Sequence, residues 1–397
     1  MRNNILTAGI LLTGAVMASC GQKAAQSEEQ TMGLAEAYAD CWYTGVSVNQ
    51  WEVAASDAEL THDYSGNVSN DQTAHWNMIT RNFNWAVAEN CMKCEVIHPE
   101  EDRYDFTLAD QFVDKAKAAG MKVMGHCLIW HSQCAPWFHF DDKGKLVSPE
   151  VLKARMKEHI TTIVTHFKGR VDAWDVVNEA FEDDGSFRQS LFYQILGEEF
   201  IPLAFQYAHE ADSTIQLFYN DFSMNKATKV EAVCDFFRPL IADGLPITAI
   251  GMQGHIILED GADTVIAQYD HSISCIASLG IKTGFSELDL SVLPNPYGFS
   301  GANISDKFSY RPEMDPFREG LTPEKNAEFE NFWTGFYQML LTHKESVDRV
   351  TFWCSNDANS WRNDFPIRGR MDYATLFDRD GNPKPVINKL IQLRTEK

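Results

Sequence analysis

Short runs of β-branched and aromatic residues recur along the chain, and longer stretches between them carry apolar residues every three or four positions. The runs read as strands over residues 42–49, 90–97, 122–130, 171–179, 215–221, 249–256, 281–290 and 349–357. Several are apolar almost throughout, as strands covered on both faces must be. The stretches between them read as helices. One covers 109–119, stopped by Gly120, and one 148–168, with Ser148 as N-cap and Pro149 in the first turn. Others cover 226–243, 262–279, stopped by Gly280, and 322–343. Strand followed by helix, eight times over, predicts an α/β fold: a closed parallel (β/α)8 TIM barrel in a single domain. A doubly wound open sheet fits less well, because no Gly-x-Gly-x-x-Gly follows the first strand.

Polar groups interrupt these runs mostly toward their C-terminal halves. They are Asn90, Lys93 and Glu95; His126; Asn178 and Glu179; Asn220 and Asp221; Gln253 and His255; and Glu287 and Asp289, with Trp353 in the last run. A buried strand does not tolerate such groups without partners. In a parallel barrel the C-terminal strand ends converge on one pocket, so the pattern predicts a site there. Two long connections, 50–75 and 291–321, follow the first and seventh strands and so fall on the pocket side. The second carries Pro294, Asn295, Pro296, Tyr297, Phe299, Phe308, Tyr310 and Pro316 and is expected to wall the cleft.

Composition narrows the ligand. The chain has 397 residues, 44% of them hydrophobic, which is ample for one large core. Its 25 Phe, 12 Tyr and 10 Trp leave rings to stack on flat ligands such as sugars. A net charge of −22 without any run of Lys or Arg argues against nucleic acid or an anionic membrane surface as the main partner.

Residues 1–20 read as an export signal, with Arg2 before an apolar stretch over 5–17 that is too short to span a bilayer. Met17-Ala18-Ser19-Cys20 resembles a bacterial lipoprotein cleavage box, which makes Cys20 the expected lipidation site. Residues 21–33 are small and polar and suit a flexible tether, leaving 34–397 as the folded domain. The expected location is the outer membrane, held by the lipid anchor alone, with plain secretion as the alternative. The remaining cysteines are free to form disulfides after export, without a legible pairing. Cys91 and Cys94 form a Cys-x-x-Cys, but on a strand they face opposite sides, so no metal site is expected.

Two of the strand-end residues are glutamates 108 positions apart, Glu179 and Glu287, set on different walls of the predicted pocket. Cleaving a glycosidic bond takes one carboxylic acid to protonate the leaving oxygen and one carboxylate to attack or stabilise the anomeric carbon. Asn178 can hydrogen-bond a sugar 2-hydroxyl, His255 can bond Glu287, and Asp289 can orient His255.

These segments resemble glycoside hydrolase family 10, whose founding activity is endo-β-1,4-xylanase. The resemblance rests on ordered motifs: Phe83-Asn84 with Glu89-Asn90 and Met92-Lys93; Gly125-His126 through Trp130 to Gln133; Trp174-Asp175-Val176-Val177-Asn178-Glu179; Gly251-Met252-Gln253-Gly254-His255; Ser286-Glu287-Leu288-Asp289; and Trp353 with Ser360-Trp361-Arg362. It implies a retaining mechanism on internal bonds of xylan, with Glu287 as nucleophile and Glu179 as general acid, then base. It also implies sugar contacts from Glu89, Asn90, Lys93, His126, Trp130, Asn178, Gln253, His255, Trp353 and Trp361, with Asp289 behind them. The retaining reading predicts carboxyl groups about 5–5.5 Å apart and a raised pKa for Glu179. The resemblance implies no cofactor, and nothing in it demands more than a monomer. Cys94, Cys127, Phe222 and Cys354 depart from the family pattern at non-catalytic positions. A β-glycosidase acting on short aryl-, cello- or xylo-oligosaccharides is the alternative within the same chemistry.

Overall fold

The structure is a computed structural model that describes residues 32–54, 72–296, 299 and 307–395. The export signal and nearly all of the tether therefore lie outside the described residues. Gly33–Lys397 forms one compact unit.

The strands are β1 (Tyr43–Val48), β2 (Trp85–Ala88), β3 (Lys122–Trp130), β4 (Ala173–Asn178), β5 (Gln216–Asp221), β6 (Ala249–Met252), β7 (His255–Ile257), β8 (Lys282–Ser291) and β9 (Val347–Phe352). All pairings between them are parallel, in the order β6-β5-β4-β3-β2-β1-β9-β8, and a further β6–β8 pairing closes the barrel. β7 adds a short outer rung on β8. The helices are α1 (Leu34–Ala37), α2 (Gln50–Val53), α3 (Gln72–Asn82), α4 (Cys94–Ile97), α5 (Thr107–Ala118), α6 (Pro149–His166), α7 (Leu191–Leu196), α8 (Phe200–Ala211), α9 (Ala227–Ala242), α10 (Ala262–Ala277), α11 (Pro323–Thr342) and α12 (Pro385–Thr395).

The predicted (β/α)8 barrel is therefore the fold, with one strand misplaced. Residues 90–97 are not a strand: they form a turn and the single helical turn α4, while the barrel position belongs to the four residues of β2. Both segments bury their apolar side chains, but only β2 pairs with β1 and β3. The run expected over 249–256 breaks at Gln253-Gly254, where Gly254 takes φ +81° and lets the chain step outward into β7.

The core has two shells. Trp85, Val87, Met124, Ala173, Phe218 and Ala249 fill the barrel interior, and Trp353 closes it toward the pocket. Among them the Arg349 guanidinium lies 3.6 Å over the Phe218 ring. Outside the barrel, each helix lays an apolar stripe on the strands. On α6, Leu152, Met156, Ile160 and Ile163 are fully buried at helical spacing, each worth about 1.5–3 kcal/mol. The Ser148 side chain accepts from the Val151 backbone N–H and so starts that helix where its sequence predicts. The Tyr38 hydroxyl, just after α1, donates to the Leu390 carbonyl at 2.8 Å and ties α12 to the start of the domain.

Backbone strain gathers at one end of this scaffold. Among the described residues, the non-glycine positions with positive φ are Gln133 (43°), Glu179 (60°), Ser223 (52°) and Cys354 (83°), and they follow β3, β4, β5 and β9 respectively. Each costs on the order of 1–3 kcal/mol, which the packed strands beneath must hold in place.

Candidate active site

At the C-terminal ends of the strands lies a cavity of about 160 Å3. Glu89, Asn90, Lys93, His126, Trp130, Asn178, Glu179, Gln253, His255, Glu287, Trp353 and Trp361 all line it, so the sequence-named catalytic and sugar-contacting residues share one site. Gln133 lines it too, and Asp289 stands behind His255.

Glu179 follows the last residue of β4 and is 6% exposed. Its carboxylate accepts from Gln253 Nε2 at 2.7 Å, Trp130 Nε1 at 2.9 Å and Asn178 Nδ2 at 3.3 Å. Burial, and then the charge of Asp221, raise its pKa above the ordinary glutamate value despite those donors, and Glu287 adds to the rise. Asp221 is held by Lys229 Nζ at 2.8 Å and by the Tyr219 hydroxyl.

Glu287 lies within β8 and is equally buried, yet its pKa moves the other way. Burial alone would raise it. The hydrogen bond from His255 and the electrostatic influence of His126, His255 and Lys93 outweigh that and lower it. Asn220 Nδ2 donates to Glu287 Oε1 at 2.8 Å, and His255 Nε2 stands 3.3 Å from Oε2. The two glutamates are joined through amides: Asn220 Nδ2 also reaches Asn178 Oδ1 at 3.1 Å, and Asn178 bonds Glu179.

Behind Glu287, His255 Nδ1 bonds Asp289 Oδ2 at 3.0 Å, and Arg362 donates to Asp289 Oδ1 from Nη2 at 2.8 Å and from Nε at 3.1 Å. Burial opposes both ionisations. The Arg362 and His255 charges nonetheless pull Asp289 down to about 2, and the two carboxylates push His255 up to about 9. His255 is therefore an imidazolium at neutral pH, fixed against the carboxylate that must stay ionised. Trp361 Nε1 donates to Asp289 Oδ2 at 2.7 Å, which orients that ring over the cavity.

On the opposite wall Lys93 Nζ donates to Asn90 Oδ1 at 2.9 Å and Gln133 Oε1 at 2.8 Å, and lies 4.9 Å over the Trp130 ring. Glu89 accepts from Asn49 Nδ2 at 2.9 Å, and burial raises its pKa to about 7. His126 Nδ1 bonds Asp175 Oδ2 at 2.9 Å.

Sequence reasoning gave no role to Asn220, Asp221, Asp175, Gln133 or Arg362. Each nonetheless stood in a quoted motif or a polar strand end. Of the long 291–321 connection, Asn295 and Phe299 line a second cavity of about 260 Å3 that shares His255 and Trp361 with the first. Tyr297 lies outside the described residues, and Tyr310 is exposed.

The strand argument against a Cys-x-x-Cys metal site fails with the strand itself, since Cys91 sits in a turn and Cys94 opens α4. Among the described residues, no group of three or more His, Cys, Asp or Glu is placed to hold an ion.

The sequence profile of glycosyl hydrolase family 10 matches residues 50–393. Endo-1,4-β-xylanase A of Xylanibacter ruminicola is 41% identical over 350 residues, covering 88% of this chain and 90% of that protein. Among solved structures, a GH10 endoxylanase retrieved from a sugarcane soil metagenome superposes with a TM-score of 0.84 at 34% identity, covering 91% of this chain and all of that one. TsXylA, a xylanase of Thermoanaerobacterium saccharolyticum solved with xylotriose, superposes at 0.74 with 30% identity, covering 91% and 99% of the two chains.

Proposed function

The chain belongs to glycosyl hydrolase family 10, and on that premise we infer that it is an endo-β-1,4-xylanase that cuts internal bonds of xylan with retention of configuration. One observation carries the assignment of roles: two buried carboxylates in one cavity whose pKa values are driven apart, Glu179 upward and Glu287 downward.

In the first step a Glu287 carboxylate oxygen attacks the anomeric carbon while the glycosidic C–O bond breaks. Glu179 gives its proton to the departing oxygen, leaving a glycosyl ester on Glu287. Esterification removes the Glu287 charge, which had been one cause of the raised Glu179 pKa, so that pKa falls and Glu179, having given up its proton, stays a carboxylate able to accept one. It takes that proton from water, the water oxygen attacks the same carbon, and the ester bond to Glu287 breaks. Two displacements restore the β configuration. Asn220 and the His255 imidazolium hold Glu287 ionised before attack and receive its charge on release.

Sugar rings would stack on Trp353 and Trp361, while Glu89, Asn90, Lys93, Gln253 and His126 supply donors and acceptors to hydroxyls. Proton NMR of the first-formed product from xylan tests the mechanism: β-anomer appearing first is expected, and α-anomer first would overturn it. Glu287→Ala should lower kcat by several orders of magnitude while xylo-oligosaccharide binding persists. Product sizes separate the inner-chain cutter from an enzyme of short oligosaccharides, since the former gives a ladder from polymeric xylan and the latter leaves the polymer intact.

We further propose that residues 1–19 are removed on export, that Cys20 becomes the N-terminus and carries the lipid, and that 21–33 tethers a monomeric enzyme to the outer membrane. The cleavage box Met17-Ala18-Ser19-Cys20 supports this. Labelled palmitate entering the wild type but not Cys20→Ala is the expected result, and equal labelling would refute it. Light scattering of the soluble domain should give the monomer mass.

A further inference from the structure

Cys94, half of the Cys-x-x-Cys that plays no part above, has a thiol partner elsewhere. It opens α4 and is buried, and its Sγ stands 3.8 Å from Sγ of half-buried Cys134, in the segment beyond β3. Contacts that do not involve sulfur hold the two segments in this register. The Glu95 backbone N–H donates to the Gln133 carbonyl at 3.0 Å, Gln133 Nε2 donates to Glu95 Oε1 at 3.0 Å, and Lys93 Nζ donates to Gln133 Oε1 at 2.8 Å. Residues on either side of Cys94 thus grip the residue before Cys134, so the two sulfurs face each other by construction.

We propose that Cys94 and Cys134 are joined by a disulfide in the mature protein, a covalent staple behind the wall of the site that carries Lys93 and Trp130. The bond forms by exchange with a disulfide donor such as oxidised glutathione or an exported dithiol oxidase. One thiolate attacks the donor disulfide and expels a thiol. The second thiolate then displaces the donor's other sulfur, so two protons and two electrons leave the cysteines and the donor is reduced to its thiols. Exchange precedes closure of the fold. The hydrogen bond to Cys94 and burial raise the Cys134 pKa, which makes it a poor nucleophile once packed. The staple closes a loop that spans β3 and α5, and it pins the turn bearing Asn90 and Lys93 to the segment bearing Gln133.

The test is to unfold the full chain and refold it in mixed reduced and oxidised glutathione, block free thiols with iodoacetamide, and digest with trypsin without reduction. Peptide 94–103 should be recovered joined to peptide 123–143, lighter than their sum by two hydrogens, with fragmentation placing the link at Cys134 rather than Cys127. Dithiothreitol should lower the wild-type Tm by a few degrees, on the order of 5 °C, and leave Cys134→Ser unmoved. Recovery of both cysteines alkylated, a link from Cys94 to any other cysteine, or a wild-type Tm insensitive to dithiothreitol would overturn the proposal. Xylan cleavage is not read in this experiment, so its failure leaves the enzymatic assignment standing.

Discussion

Replacing His255 by Ala tests the electrostatics of the nucleophile directly. Glu287 is buried, and burial by itself raises its pKa; the first counterweight is the hydrogen bond from His255 Nε2, 3.3 Å from Oε2. His255 is charged because Asp289 and Glu287 flank it, and Asp289 keeps both hydrogen bonds from Arg362 to its Oδ1 when the imidazole is gone. Removing His255 therefore takes a cation from Glu287 without adding an anion. A hydrogen bond to a charged group is worth about 1.5–3 kcal/mol. At 1.36 kcal/mol per pKa unit, the Glu287 pKa should rise by about 1–2 units.

The acidic limb of kcat/KM reports ionisation of the nucleophile in the free enzyme, so on an aryl β-xylobioside it should move up by that amount. His255→Gln, which keeps a donor but not the charge, should move it less. His255 is not among the groups that raise Glu179, so the basic limb should stay where it is. A lowered profile with an unmoved acidic limb would show that His255 acts by shape alone and would refute the electrostatic argument. Stability gives a second reading. The folded pKa of His255, about 9, lies above its ordinary 6.5, so its contribution is complete below pH 6.5 and is lost as pH rises through 9. The stability gap between wild type and His255→Ala should therefore shrink by up to about 3 kcal/mol across that window, measured by urea unfolding.

Further outcomes follow from the same geometry. Glu179→Ala should lose about 100- to 10,000-fold in kcat on xylan, and with a dinitrophenyl xylobioside azide should intercept the ester to give a β-glycosyl azide; absence of that adduct would remove Glu179 from the acid/base role. Glu89 has a folded pKa of about 7 against an ordinary 4.5, so its stabilisation is present below pH 4.5 and is lost as pH rises through 7. Glu89→Gln should accordingly be more stable than wild type at pH 8 by up to about 3 kcal/mol and equal to it at pH 4; a pH-independent difference would contradict this. Gly125→Ala would place a Cβ 2.1 Å from the Trp174 ring, which cannot yield inside the sheet-helix core, and should cost about 3 kcal/mol or more in urea unfolding. An unchanged midpoint would mean the strand can shift.

Most strands were legible because each carried its own signal, an apolar run ending in polar groups. The span 122–130 was read to the residue, since Gly120 precedes it and His126 and Trp130 mark its pocket half. β2 was missed because its four residues Trp85–Ala88 show neither alternation nor a polar end within them, whereas 90–97 is longer and sets polar groups among buried apolar ones, as a strand end at a pocket does. Burial was read correctly there, but burial does not distinguish a ladder from a turn. α8 escaped for the converse reason: its first turns are apolar on every side, so no helical stripe stands out.

The catalytic constellation was legible and its supports were not, and register accounts for the difference. Parallel pairing sets His126 beside Asp175, Asn178 beside Asn220, and His255 beside Asp289, and each of these neighbours is a hydrogen-bonded pair in the site. The same pairing sets Gly125 beside Trp174, which is why that position has no room for a side chain. A motif read along the chain names residues on one strand, but it does not say which residue of the next strand lies at the same height. His255 and Asp289 were paired by chemical reasoning, a carboxylate that can orient an imidazole. Asn220 had no such mark, because an amide at a strand end is compatible with many partners. Only the register that brings it level with Asn178, together with the closure of β6 onto β8 that brings Glu287 within 2.8 Å, turns it into the donor that holds the nucleophile.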